Sequence, residues 1–282
     1  IQDRAAFFDG LDIATIEGHV DPTSLAWMVQ GEMEGLEVSP ESLAVAPPLI
    51  LARLQAAKPF RGKAYVRFQA EGTAADAAAC RFALAGSFAG RIEDPRLGRP
   101  LTDVHATFQC DNATLRVQQA TARAGETALS LSGTFADPAG VGPFRLSAKA
   151  ARLVLNDELP ALLPQNWRCV WDSFAPQGPV NASLELAYDG KQSREELALD
   201  CLGVSFAYHR FPYRLANATG KVRFRDGVLR FQDFKALASG REVKIDGELL
   251  HPGPKCTGWV QFSLEQPIPL DERFLAALQG KS

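Results

Sequence analysis

The chain has 282 residues, 46% hydrophobic and 22% charged, which is enough apolar surface to fold and excludes wholesale disorder. Thirty Lys and Arg stand against 33 Asp and Glu, a net charge of −3, so there is no basic excess to hold a nucleic acid or another polyanion. Five cysteines, Cys80, Cys110, Cys169, Cys201 and Cys256, lie far apart with no CxxC pair, which predicts buried thiols rather than a disulfide scaffold or a zinc site.

The chain begins Ile1-Gln2-Asp3, without Met, basic n-region or apolar h-region, and reads as a piece of something longer. Ile16 and Gly18 lead into the turn Asp21-Pro22, and Leu36 to Val38 ends a strand before Ser39-Pro40-Glu41, a helix start with Ser39 as N-cap. The longest apolar stretch, Leu43 to Leu54, is broken by Pro47, Pro48 and Arg53. It is shorter than the ~20 apolar residues of a membrane helix.

Strict alternation then takes over. Its first runs are Ala64, Val66, Phe68; Cys80, Phe82, Leu84; Val104, Ala106, Phe108, Cys110; Leu115, Val117; and Leu129, Leu131. A second helix start follows at Asn156-Asp157-Glu158. Alternation resumes with Leu184, Leu186, Tyr188; Val222, Phe224; Leu229, Phe231; Val243, Ile245; and Val260, Phe262, Leu264, before a third helix start at Asp271-Glu272. A period of two puts these side chains on one face and the intervening polar ones on the other, as in an antiparallel sheet with one dry side. Turn signals at Asp111-Asn112, Asp137-Pro138, Asp189-Gly190, Asp226-Gly227 and Pro252-Gly253 make it a meander of hairpins, which we estimate at about 16 to 20 strands.

Repetition is the strongest feature. Sliding the chain by about 114 positions lays Leu101–Phe135 on Leu215–Leu249 without a gap: Phe108 meets Val222, Leu115 meets Leu229, and Gly133 meets Gly247. This divides the chain into residues 1–58, the end of a preceding repeat with its short helix, then a repeat at 59–175, and another at 176–282 that stops at its closing helix.

Motifs for chemistry are missing. His19, His105, His209 and His251 are isolated, no serine sits in a nucleophile elbow, and no phosphate-binding glycine pattern occurs. The pairs Asp157-Glu158 and Asp271-Glu272 recur at helix starts, where carboxylates suit the helix dipole. Asn112, Asn181 and Asn217 stand in glycosylation sequons but read as turn residues beside strands. Trp27, Trp167, Trp171 and Trp259 are twice as easily read as core filler as ligand platforms. The expectation is a non-enzymatic protein with no cofactor and no metal.

A long sheet with one apolar face must cover it. The helical stretches are too few and short to do so, and small residues of the inward phase, Ala64, Ala106, Ala148 and Gly258, leave room. The fold class expected is therefore all-β with a few short helices, an elongated, curled antiparallel sheet with an apolar concave face.

The run Asn217-Ala218-Thr219-Gly220-Lys221-Val222-Arg223-Phe224-Arg225-Asp226-Gly227-Val228-Leu229-Arg230-Phe231, followed by Val243-Lys244-Ile245-Asp246-Gly247-Glu248-Leu249, resembles the repeat of AsmA-like proteins of double-membrane bacteria, a superfamily with TamB-like and YhdP-like members. The resemblance extends from about Gly10 to Leu278, more weakly in the earlier copy. It implies a taco-shaped repeating β-groove in the periplasm, anchored at the inner membrane by a segment absent from this sequence, that carries phospholipid or another acyl-chain lipid toward the outer membrane. The groove would be lined by Val66, Phe68, Phe82, Leu84, Phe108, Cys110, Leu129, Leu131, Leu184, Leu186, Val222, Phe224, Leu229, Phe231, Val243, Ile245, Val260 and Phe262. Two other readings are open: an envelope assembly or scaffold protein aiding outer-membrane protein insertion, and a closed β-sandwich binding module.

Overall fold

Residues alternating between apolar and polar side chains pay least desolvation when one face of a sheet is wet, and that pattern governs nearly the whole structure. The computed structural model describes residues 13–44, 59–74, 76–137, 142–163, 165–209, 211–252, 256–269 and 272–278. The strands are β1 (Ile13–Val20), β2 (Ala26–Val38), β3 (Phe60–Thr73), β4 (Asp76–Ile92), β5 (Leu101–Asp111), β6 (Thr114–Ala124) and β7 (Thr127–Ala136), then β8 (Phe144–Leu155), β9 (Gly178–Tyr188), β10 (Ser193–Tyr208), β11 (Phe211–Arg225), β12 (Val228–Ala238), β13 (Arg241–Leu250) and β14 (Thr257–Leu264). Helices α1 (Pro40–Ala44), α2 (Gln165–Phe174) and α3 (Glu272–Leu278) interrupt them.

The protein is all-β, with one 14-stranded antiparallel sheet in chain order that does not close on itself. Among the described residues there are fewer strands than the estimated 16 to 20 because individual strands are long. β4 alone has 17 residues, against a usual strand of about five or six. The described strands all belong to one hydrogen-bonded sheet.

The hairpins follow from turn chemistry. Asp226 and Gly227 (φ 51° and 78°) join β11 to β12, and Ser239 and Gly240 (φ 45° and 80°) join β12 to β13, both two-residue turns with the doubly positive φ of type I′. Carboxylates shape other turns: Asp111 accepts from the N–H groups of Ala113 and Thr114, and Asp189 from those of Lys191 and Gln192. Pro138, Gly253 and Asp271 lie outside the described residues.

The repeat is written in the backbone. Positive φ occurs at Asp103 and Asn217, at Gly125 and Ser239, and at Asp137 and His251, each pair 114 positions apart. The register slips between Thr102 and His105 in one copy and between Ala216 and Thr219 in the other, again 114 apart, so the same bulge bends β5 and β11. At Gly133 a Cβ would lie 2.9 Å from the Arg145 carbonyl, and at Gly247 it would lie 2.7 Å from that of Trp259, its counterpart. The repeated block is six strands, β2–β7 and then β8–β13, each with a helix after its first strand. Ser39 caps α1, its Oγ accepting from Ser42 N–H at 3.1 Å, and Asn156 caps its own turn in the same way toward Glu158 and Leu159.

Two of the sequon asparagines, Asn112 in the β5–β6 turn and Asn181, bond to the backbone of other strands. Asn112 accepts from Phe82 N–H and donates to the Cys80 carbonyl, extending the β4 ladder, while Asn181 accepts from Arg152 N–H and Asn217 occupies the bulge.

Packing gathers the chain into two compact units. The first comprises Ile1–Gly125, Leu129–Ser147 and Ala187–Gln192, and the second Glu126–Ala128, Ala148–Leu186 and Ser193–Ser282. The first centres on buried Ala64, Phe88 and Val104, with Val66, Ala106 and Phe108 against them. The second has a larger core that includes Val180, Val204, Phe234, Val243 and Ile245. Of the cysteines only Cys201 is buried, Cys80, Cys110 and Cys169 are half-buried, and Cys256 is exposed. The expectation of buried thiols therefore fails for most of them, because an alternating position on a partly uncovered face is only half sheltered.

Candidate functional site

Residues directly opposite in an antiparallel ladder point to the same face, so register decides which side chains share a surface. In the first unit Phe68 pairs with Leu84 and Leu84 with Cys110, while Gly86 pairs with Phe108 in the next row. Val66 belongs to that row, and Phe82 to the one opposite Ala70. In the second unit the rows run Phe224, Leu229, Leu249 and Val222, Phe231, Gly247, Val260, beside Ile245 and Phe262. Leu129 and Leu131 are half-buried in β7.

The small residues do not leave empty space where the sequence reading expected it in the first unit. Phe88 lies in one row with Ala64 and Ala106, and Ala64 is itself buried. A Cβ on Gly86 would lie 3.2 Å from the Phe108 ring, and one on Gly31 would lie 3.1 Å from Phe68. Aromatic rings thus spread over the glycines and alanines of neighbouring strands. A hollow of about 830 Å³ in this unit lies on the polar face, where Glu32, Arg67 and Arg116 share one cross-strand row and Glu17 and Gln30 the next but one.

The second unit differs. Two apolar cavities of about 970 Å³ and 450 Å³ open on its sheet. The larger is lined by Phe231, Val243, Ile245, Val260 and Phe262 together with Phe211, Tyr213 and Phe274, and the smaller by Leu184, Leu186, Val222, Phe224, Leu229 and Phe231 with Leu197 and Leu199. Every groove residue that the sequence placed in this unit therefore lines one cavity or the other. The Tyr213 hydroxyl is turned to Ser239 Oγ at 2.8 Å and leaves an apolar ring. Glu195 is the one charged residue among the described lining of the smaller cavity.

Helix α2 borders both, and Phe206 and Phe231 of the sheet also line both. Trp167, Val170, Trp171 and Phe174 are spaced i, i+3, i+4 and i+7, so they form one apolar face, with Arg168 and Asp172 exposed on the other. Trp167 and Trp171 line the smaller cavity, and Val170 and Phe174 line both. The Trp167 ring meets Phe224 edge-on at 4.6 Å, and Phe174 meets Tyr208 at 5.4 Å. The described helices, of 5, 10 and 7 residues, are few and short beside the sheet, and α2 covers only part of the second unit, a local cover that the sequence reading did not foresee. The spacing of those four residues was readable in the sequence, and the strand periodicity around it masked it.

At the far end α3 sets Phe274 against Phe211 and Tyr213, at 5.8 and 5.7 Å. Strand β14 is exposed throughout, Phe262 by 55% and Val260 by 37%. Burial, with the neighbouring Asp200 carboxylate, pushes the Cys201 thiol up to about 11 and keeps it inert beside the cavity it lines. Among the described residues no three His, Cys, Asp or Glu gather as a metal site, and no helix is long and apolar enough to cross a membrane.

No family model, no curated protein and no solved structure matches the chain.

Proposed function

We propose that the apolar face of the second unit holds lipid acyl chains, and that the protein is a non-enzymatic, lipid-conducting segment of an AsmA-like periplasmic protein carrying phospholipid between the two membranes. The observation that carries this reading is the pair of adjoining apolar cavities on an open sheet, with ten alternating residues of successive strands in their walls. Each methylene taken from water gains about 0.8 kcal/mol, so a sixteen-carbon chain gains on the order of 10 kcal/mol if fully covered. The headgroup then stays in water at the open side.

Photo-crosslinking tests it. A photoreactive phenylalanine replaces Phe262, exposed and facing the larger cavity, or Gln261, its neighbour on the opposite face. With radiolabelled phosphatidylcholine vesicles, labelling at 262 should exceed that at 261 several-fold. Equal labelling would overturn the groove.

A further inference from the structure

We propose that helix α2 is a displaceable stopper in the acyl groove, occupying the place of a lipid chain and holding the two cavities apart. The inference rests on the groove reading and adds to it a gate.

The helix presents apolar surface where the groove would otherwise be continuous. Val170 and Phe174 face both cavities, as do Phe206 and Phe231 of the sheet below, so the helix forms the upper part of the wall between them. It is seated rather than buried. Trp167, Cys169, Val170, Trp171, Ser173 and Phe174 all keep partial exposure, whereas Phe224 beneath Trp167 is only 6% exposed. Lifting the helix would uncover Phe224 and its row. An acyl chain arriving there covers the same apolar surface, so the exchange is nearly balanced and lipid occupancy can shift it.

The helix also has the anchors of a hinged element. At its start the Arg168 guanidinium donates to the carbonyls of Leu163 and Ala161, at 2.7 and 2.9 Å, so helix and preceding turn move as one body. At its end Ala175 takes a left-handed backbone (φ 40°), and two residues on Gln177 is clamped to Ser205 by a reciprocal pair of backbone hydrogen bonds at 2.8 and 2.7 Å. A residue held in a sparsely populated conformation between a rigid helix and a fixed clamp is where a hinge absorbs rotation. Across the helix end a single backbone hydrogen bond, His209 N–H to the Ser173 carbonyl at 2.9 Å, latches α2 to the turn after β10.

The test locks that latch. In a chain whose native cysteines are replaced by alanine, Ser173→Cys with His209→Cys allows a disulfide to hold the helix down, and reduction releases it. Photoreactive residues at 262 and at 197 report the larger and smaller cavities, with radiolabelled phosphatidylcholine vesicles as the probe. The oxidised protein should label at 262 and lose labelling at 197 at least fivefold, and reduction should restore it. Trp167→Ala, which unseats the helix without the disulfide, should raise labelling at 197 in the unlocked chain. Equal labelling at 197 in the locked and reduced forms, with 262 labelled in both, would overturn the stopper and leave the groove standing. No labelling at either position in any form would overturn the groove itself. A circular-dichroism melt of each variant confirms that the compared proteins are folded.

Discussion

The two units carry the same six-strand plan and fill it differently. In the first, one cross-strand row reads Ala64, Phe88, Ala106, Ala120, with the ring supplied by β4. In the second the corresponding row has Cys201 opposite Gly220, and the ring comes two strands later, from Phe234 of β12, whose backbone lies against Gly220. Ala120 and Phe234 are 114 positions apart, as are Ala106 and Gly220. Each copy thus needs one aromatic ring over a strip of small residues, and the copies have drifted by moving the ring between strands. Volume along the row is what packing demands, not identity at each position. In the first unit Val66, Phe68, Leu84, Phe108 and Cys110 of the apolar phase stay half-buried around Phe88, while the second unit, seated under α2, has two apolar cavities.

The largest effect should come from removing a ring filler. Phe234 is 4% exposed and packs edge-on against Phe206 and Phe231, at 5.8 and 5.4 Å. Phe234→Ala should lower the unfolding free energy by about 3–5 kcal/mol. Phe262→Ala, at an exposed site facing the cavity, should change it by less than about 1 kcal/mol. Urea denaturation of the two variants gives both values. A loss at Phe262 equal to that at Phe234 would mean that β14 is core and not groove wall.

A second variant tests whether the ring has truly changed places. Ala120→Phe adds a ring to a row already filled by Phe88, and overpacking should cost about 1–3 kcal/mol. In the double variant Phe88→Ala, Ala120→Phe the new ring enters the space vacated by the old. The pair should be at least about 1 kcal/mol more stable than the sum of the single changes predicts. Strict additivity in urea midpoints would break the comparison of rows.

Much of this was legible in the chain. Alternation such as Val104, Ala106, Phe108, Cys110 dictated strands and faces, and the 114-residue offset found the repeated block because turn and bulge positions tolerate few residue types. Asp103 and Asn217 keep the left-handed backbone with side chains suited to it. What escaped was what depends on partners across the sheet. The alternating phase told that Ala64 faces inward but not that Phe88 covers it, since the covering ring sits on another strand. Helix α2 escaped because its four apolar residues lie in a stretch where strands dominate. The proposed function came from the resemblance to AsmA-like repeats, and the residues by themselves supplied only the apolar face.

The pH dependence of stability offers a smaller effect within the second unit. Burial first, and the Asp200 carboxylate second, push the Cys201 thiol up to about 11 in the folded protein, against 9.0 for the free group. Below about pH 9 the thiol is neutral folded and unfolded alike, and its contribution is fully present. As pH rises from there to about 11, only the unfolded chain ionises, so stability is lost across that window. Urea midpoints measured in steps through it should fall more steeply for the native chain than for Cys201→Ala. Parallel profiles would place Cys201 in contact with water and, with it, open the floor of the smaller cavity.

The smallest effect compares the caps that open the two copies. Ser39 and Asn156 are 117 positions apart, at the same step after the first strand of each block. Ser39 and Ser42 cap reciprocally, Ser39 N–H donating to Ser42 Oγ at 2.9 Å and Ser42 N–H to Ser39 Oγ at 3.1 Å. Asn156 accepts at 3.2 and 3.3 Å, near the long end of a hydrogen bond. Removing a cap costs about 1 kcal/mol, and α1 is too short to persist without it. Ser39→Ala should therefore speed hydrogen exchange at the Ser42 amide about fivefold while leaving the urea midpoint nearly unchanged, and Ser39→Asp should restore protection. Asn156→Ala, losing longer bonds, should speed exchange at Leu159 by a smaller factor. Were the two caps of equal strength, or the order reversed, bond geometry would not be what sets local stability at these helix starts.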